Sequence, residues 1–147
     1  MDRKGLERTL ATRLNPVSRA WHQLADQALS QLGVSNSTGW CMVWLNRLGK
    51  DVRQADLARA IGITEASLVR ILHQLEASDL VQRRASPDDR RVNHLLLTPK
   101  GLDLARQIEA TLVNLREDLL IGLPSQDIEA TLRVLDHLAD IIAERRQ

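Results

Sequence analysis

The stretch "QADLARAIGITEASLVRILHQLEASDLVQRR", Gln54–Arg84, carries two short helical patterns around a glycine. Leu57, Ile61, Ile63, Leu68 and Ile71 supply inward faces, and Ala58 is small enough for two helices to cross closely. Gly62 stands four residues after Ala58, where a tight turn needs a permissive backbone. Thr64 is placed to cap the second helix. The pattern predicts helices over Gln54–Ile61 and Glu65–Ala77, joined by "GIT" as a helix-turn-helix. A lone glycine between helices would be a weak signal; small, glycine and apolar positions agreeing together make it a stronger one.

In the second helix Leu68, Ile71, Leu72 and Leu75 point inward. The opposite side then shows Ala66, Ser67, Arg70, His73 and Gln74, which are short or hydrogen-bonding residues with one arginine among them. Such a face can enter a DNA major groove, and Arg70 has the reach for guanine O6 and N7, a contact worth about 1–3 kcal/mol of discrimination. On its own the same face reads as ordinary solvated surface. Ser67, Arg70 and Gln74 are the candidate groove contacts on this helix.

Leu80–Arg84 and Val92–Leu97 read as two strands, and strands directly after a helix-turn-helix form a wing. The connecting "RRASPDDRRVNHLLLT", Arg83–Thr98, supports two readings. In one, Ser86-Pro87-Asp88-Asp89 is a turn that the arginines keep soluble. In the other, Asp89 orients a neighbouring arginine, Arg90 or Arg91 enters a narrow minor groove, and Arg83 and Arg84 meet phosphates from the strand. Composition alone does not choose between them; the position beside the second helix favours the latter.

Long helices flank this centre. Leu6, Leu10, Leu14, Val17, Trp21, Leu24, Ala28 and Leu32 step by three or four. Pro16 interrupts the stripe, so the main first helix is expected to begin near it, with Gly33 as its C-terminal cap. Ser35 or Ser37 can cap a second helix with Trp40, Val43, Trp44 and Leu48, closed by Gly49, and Asp51–Arg53 reads as extended. Thr98-Pro99 opens a long helix ending near Gly122, and Ser125 opens a last one. The expected class is mainly α with a small β-hairpin wing. Residues 35–101 form the winged helix-turn-helix, and residues 1–34 and 102–147 form dimerisation helices whose apolar stripes a second copy covers. The alternative is that these helices close a monomeric bundle.

Composition bounds the function. The 147 residues are 44% hydrophobic, with no Phe or Tyr and three Trp, which suits one helical domain. Net charge is only +1, but residues 1–49 carry +3, residues 50–101 carry +2 and residues 102–147 carry −4. This reads either as solvated faces or as an acidic tail kept away from a polyanion-binding middle. No apolar run approaches the ~18 residues of a membrane span, and "MDRKGLERTL" lacks the apolar core of a signal peptide. With a single cysteine, Cys41, a cytoplasmic protein is the expectation. Asp136, His137 and Asp140 cluster at helical spacing, which is weak evidence for a metal, so no metal or cofactor is expected. P-loop, HExxH and nucleophile-elbow motifs are lacking, and no catalysis is expected.

The segment "QADLARAIGITEASLVRILHQLEASDLVQRRASPDDRRVNHLLLTPKG" closely resembles the winged-helix core of the MarR family of bacterial transcription regulators, especially its SlyA-like branch. "SLVRILHQLE" and "DRR…LLLTPKG" are the specific pieces, and the flanking helices also fit. The resemblance implies a homodimeric repressor whose wings straddle a pseudo-palindromic double-stranded operator. It matches Arg70 to the family's base-reading arginine, Arg91 to the wing-tip arginine, and Asp89 to the aspartate that helps hold the wing. It also implies release of DNA when a small aromatic acid or phenolic compound enters a cleft, which Trp21, His22, Trp40 and Trp44 are candidates to line; core packing is the competing reading of those four. Three positions depart from the family pattern: Asp79 replaces a glycine, Arg53 replaces a capping Thr or Ser, and Gly39-Trp40 is shifted by one from a large aromatic. Two other functions compete: a winged-helix protein-interaction module that binds no DNA, and a redox-sensing regulator acting through Cys41.

Overall fold

The computed structural model describes residues 2–146. Its elements run α1 (Arg3–Ser30), α2 (Asn36–Leu48), β1 (Val52–Arg53), α3 (Gln54–Ile61), α4 (Glu65–Ala77), β2 (Val81–Ala85), β3 (Asn93–Leu97), α5 (Pro99–Leu120) and α6 (Ser125–Arg145). The three strands form one antiparallel sheet in the order β1-β3-β2. Leu95 on the central strand faces Val52 on one side and Arg83 on the other. This is a mainly α winged helix-turn-helix, as the sequence predicts.

Two compact units divide the chain, residues up to Leu115 and residues from Arg116. In the first, Leu29 of α1, Met42 and Leu45 of α2, Leu57 of α3, Leu68, Leu72 and Leu75 of α4, Leu95 of β3 and Ile108 of α5 are fully buried in one cluster. Each of these helices therefore turns one stripe inward, which is where most of its stability comes from. Gly39 marks the tightest approach within α2. A Cβ there would lie 2.8 Å from Leu29 Cδ1 and 3.3 Å from Ile108 Cγ2. The displacement of the aromatic to Trp40 thus leaves room for α1 and α5 to close on α2. In the second unit α6 buries none of its side chains.

Caps set most boundaries. Ser35 Oγ accepts from the Thr38 N–H to start α2, and Gly49 ends that helix at φ 78°. Thr98 Oγ1 accepts from the Gly101 N–H at 2.9 Å and opens α5. Asp79 follows α4 at φ 57°, a left-handed position that glycine occupies more cheaply. Thr98 Oγ1 donates to the Asp79 carbonyl at 2.7 Å and holds the strained residue against the start of α5.

Several expectations need correction. Pro16 does not start the first helix; it lies inside α1, which begins at Arg3. Asp2 accepts from the Gly5 N–H and caps the chain there, and Arg3 pairs with Glu7 at 2.8 Å. Pro16 removes one donor to the carbonyl of Thr12, but this whole stretch is exposed, so solvent can satisfy the freed group. Gln31 rather than Gly33 caps the end of α1, and Gly33 makes the following turn at φ 74°. Asp51 is not extended, because its φ is 61°; the strand is Val52–Arg53. The wing strands each begin one residue later than the sequence suggests. The last helix does open at Ser125 as expected, with Pro124 in the cap position. Among the described residues no helix is long and apolar enough to cross a membrane.

Candidate nucleic-acid interface and adjoining cavity

The turn between α3 and α4 is built by Gly62. Its φ of 81° and ψ of 32° allow its own N–H and that of Ile63 to return to the Ala58 carbonyl at 2.9 and 3.1 Å. Thr64 then starts α4: its Oγ1 accepts from the Ser67 N–H at 3.1 Å and donates to Ser67 Oγ at 2.9 Å. The Ser67 hydroxyl is thus oriented before anything binds. Burial of Leu68, Leu72 and Leu75 turns Ser67, Arg70, His73 and Gln74 outward, and all four are exposed. The Arg70 guanidinium has no partner among the described residues. It stands at the middle of a face without a bulky obstruction.

The wing is more ordered than its composition suggests. The Ser86 N–H donates to the Val92 carbonyl at 2.8 Å and extends the β2–β3 ladder by one rung. The Val92 N–H donates to the Asp89 carbonyl at 3.0 Å, so residues 89–92 form a β-turn. Asp89 Oδ1 accepts from the Arg91 backbone N–H at 2.9 Å, as an Asx turn does. Arg90 and Arg91 are therefore the two central residues of the turn, and both are exposed. Asp89 acts on the wing through the backbone of Arg91; it makes no salt bridge to either guanidinium.

Arg83 does not stand ready for a phosphate. Its Nε donates to Glu76 Oε1 at 2.8 Å, both side chains are half-buried, and its Nη2 is enclosed without a partner. The pair ties the end of α4 to the wing strand, so α4 and the wing are held in one frame. Arg84 next to it is exposed and fits the phosphate role. Arg53 precedes α3 with no side-chain cap, as its departure from a capping residue suggests. Arg53, Arg83 and Arg91 all line a small cavity of about 330 Å³ beside the start of α3.

A larger cleft, about 700 Å³, opens behind α4. His22 and Asp26 of α1, Asn36, Ser37, Trp40 and Trp44 of α2, Ile61, Ile63, and Ser67 and Ile71 of α4 line it. Three of the four sequence candidates, His22, Trp40 and Trp44, are brought together there; Trp21 stands apart, half-buried elsewhere on α1. Trp40 and Trp44 do double duty. The Arg47 guanidinium lies 5.9 and 5.5 Å from their ring centroids and pairs with Glu109 of α5 at 2.9 Å. Asp26 and Asn36 were not legible as a pair: Asp26 Oδ1 accepts from the Asn36 N–H across ten residues. Ser67 belongs both to the exposed face of α4 and to this cleft, so the two regions share a wall.

Cys41 is fully buried and packed in the core. Burial pushes its thiol up from the ordinary 9.0 to about 12. The thiolate that oxidants attack is thus strongly disfavoured, and the sequence holds no second cysteine to resolve it. His94 Nδ1 lies 3.3 Å from Asp51 Oδ1, and no group of three metal-ligating side chains occurs among the described residues.

Comparison with known proteins gives this geometry a family. The MarR family model matches residues 34–92, from the α2 cap through the wing turn. A crystal structure of the transcriptional regulator PA3341 is 35% identical, covers 89% of this chain and 98% of its own, and superposes with a TM-score of 0.76. The S. aureus MepR–DNA complex is 22% identical over 90% of this chain and 95% of that one, with a TM-score of 0.82. CouR from Rhodococcus jostii RHA1 bound to p-coumaroyl-CoA is 22% identical over 88% and 91%, with a TM-score of 0.81. The last two speak to fold alone, whereas the first spans nearly a whole protein at an identity that carries kinship. With the helix-turn-helix, the ordered wing and the matched core in agreement, the chain belongs to the MarR family of transcription regulators.

Proposed function

We propose that the protein is a homodimeric, sequence-specific repressor that binds double-stranded DNA and lets go when a small aromatic or phenolic ligand enters the cleft behind α4. The observation that carries the reading is the set of unpaired guanidiniums on one frame: Arg70 on the exposed face of α4, and Arg90 and Arg91 on the turn that Asp89 holds. Ser67, Arg70 and Gln74 read base edges in the major groove, and Arg90 and Arg91 enter the flanking minor groove. MepR, similar in fold, is known in complex with DNA, which supports this use of the scaffold.

Residues 35–101 act as the DNA-binding part and the helices outside them as the dimerisation part. Leu6, Leu10, Leu14 and Val17 of α1 are exposed, as are Leu132, Leu135 and Ile142 of α6. Apolar faces of this extent mark an interaction surface, and a second copy would cover them. A two-fold pair would set half-sites about one helical turn apart, roughly 10 base pairs.

The shared wall supports a route for release. A ligand in the cleft presses on Ser67 and Ile71, the two α4 residues that line it, and favours a helix position that no longer fits the groove. CouR, known with bound p-coumaroyl-CoA, supports small-molecule binding on this fold. Selection of bound duplexes from a random pool tests the reading. A pseudo-palindromic consensus that releases the protein on addition of aromatic ligand is the expected result. Recovery of random sequence alone would refute it, as would a monomer by light scattering at micromolar concentration. Nothing specific in the geometry favours the protein-docking alternative, and the buried thiol of Cys41 weighs against the redox one.

A further inference from the structure

The polar wall of the cleft has a consistent sign. Asp26 is its one carboxylate, and neither lysine nor arginine lines it. Asp26 Oδ1 accepts from the N–H of Asn36 at the start of α2, so the anion which that helix end attracts is already present. The second oxygen of Asp26 has no partner among the described residues, and the side chain is exposed. Asn36 is only 8% exposed, and its Oδ1 is buried without a hydrogen-bond donor. That oxygen is enclosed by the protein, so the exposed Asp26 carboxylate is the acceptor that the cleft presents. Arg47, stacked on the two tryptophans of the same cleft, is held by Glu109 at 2.9 and 3.2 Å. His22 is the only other titratable residue on the wall.

From this arrangement we infer that the cleft selects aromatic ligands whose polar end donates hydrogen bonds and is cationic or neutral, and that it discriminates against aromatic carboxylates. The inference rests on the effector reading of the cleft given above, and sharpens it. Trp40, Trp44, Ile61, Ile63 and Ile71 take the ring system by apolar contact. The donor end meets the exposed carboxylate of Asp26. A carboxylate at the same place would stand beside Asp26 with neither lysine nor arginine on the wall to offset the repulsion.

Three ligands of nearly one shape separate charge from fit: 2-naphthamidine, 2-naphthamide and 2-naphthoate, titrated calorimetrically into the full-length protein at pH 7.5. The amidine is expected to bind at least about tenfold tighter than the carboxylate, with the amide between them. Asp26→Asn keeps an oxygen for the Asn36 N–H while removing the charge, so the fold is retained and the ratio should fall to within about threefold. Equal or tighter binding of 2-naphthoate would overturn the charge selection, and so would an unchanged ratio in D26N. The effector reading fails separately: the amidine would bind with the expected preference yet leave the DNA complex intact. Absence of heat with all three ligands would overturn both.

Discussion

Asp89 offers a way to separate the order of the wing from its charge. The turn at residues 89–92 is closed by the Val92 N–H to the Asp89 carbonyl, and Asp89 Oδ1 adds a bond from the Arg91 N–H at 2.9 Å. Asp89→Asn removes the charge but keeps a side-chain oxygen able to accept that bond. Asp89→Ala removes both. The two variants are equally neutral, so their difference isolates the hydrogen bond. An exposed bond of this kind contributes about 0.5–1 kcal/mol net. Without it the turn samples other conformations, and the ordering cost of the wing is then met on binding instead. Two wings in a dimer double the effect to about 1–2 kcal/mol, or about 5- to 30-fold in affinity. Anisotropy titration of a labelled duplex should therefore show Asp89→Ala binding about 5- to 30-fold more weakly than Asp89→Asn. Both should share one salt slope, since each retains every cation. Arg91→Ala should instead flatten the slope by about 0.9 for each phosphate left without its cation. Equal affinity for the Ala and Asn variants would refute the idea that Asp89 presets the wing.

Other outcomes follow from the same structure. Gly101→Ala would drive a Cβ into the Leu80 carbonyl oxygen, a backbone atom that also accepts from the Thr98 N–H; a loss of about 3 kcal/mol in urea unfolding is expected, and a loss under about 0.5 kcal/mol would show that the junction gives way freely. Asp79→Gly relieves the φ of 57° and should stabilise the chain by about 0.5 kcal/mol, once the greater freedom of glycine in the unfolded chain is set against it; destabilisation in the same assay would place the strain elsewhere. Cys41, with its thiol raised from 9.0 to about 12, keeps its proton in the folded state while the unfolded chain releases it. Stability should therefore fall by about 1.4 kcal/mol per unit as pH rises through the window from 9.0 to about 12, and Cys41→Ala should remove that part of the slope; an identical slope in the variant would contradict burial of the thiol.

The parts of the fold that were legible in the sequence are those set by neighbours along the chain. The bounds of α3 and α4 follow from Leu57, Ala58, Gly62 and Thr64, whose roles depend on residues no more than four positions away. The left-handed Asp79 and the missing cap at Arg53 stood out only as departures from the family pattern. What escaped depends on distance. Pro16 reads locally as a helix start, yet the Asp2 cap and an exposed surface let α1 run through it. Arg83 reads as one more wing cation, but Glu76 reaches it only after the chain has turned from α4 into β2. Three cleft residues were nameable as aromatic or imidazole side chains, whereas Asp26 and Asn36 acquire meaning only when α1 and α2 meet. The turn at Asp89 was foreseen as an orienting contact; that it works through a backbone N–H is visible only in the folded chain.

Base reading by Arg70 is open to direct measurement. Wild-type and Arg70→Ala protein would be titrated at about 0.15 M salt on the selected operator and on duplexes with one base pair changed per half-site. The wild type should lose about 5- to 150-fold at the base pair that Arg70 contacts, equivalent to about 1–3 kcal/mol, and Arg70→Ala should lose discrimination there while keeping it at other positions. A uniform loss of affinity on every duplex, with the preference profile unchanged, would contradict base reading from α4.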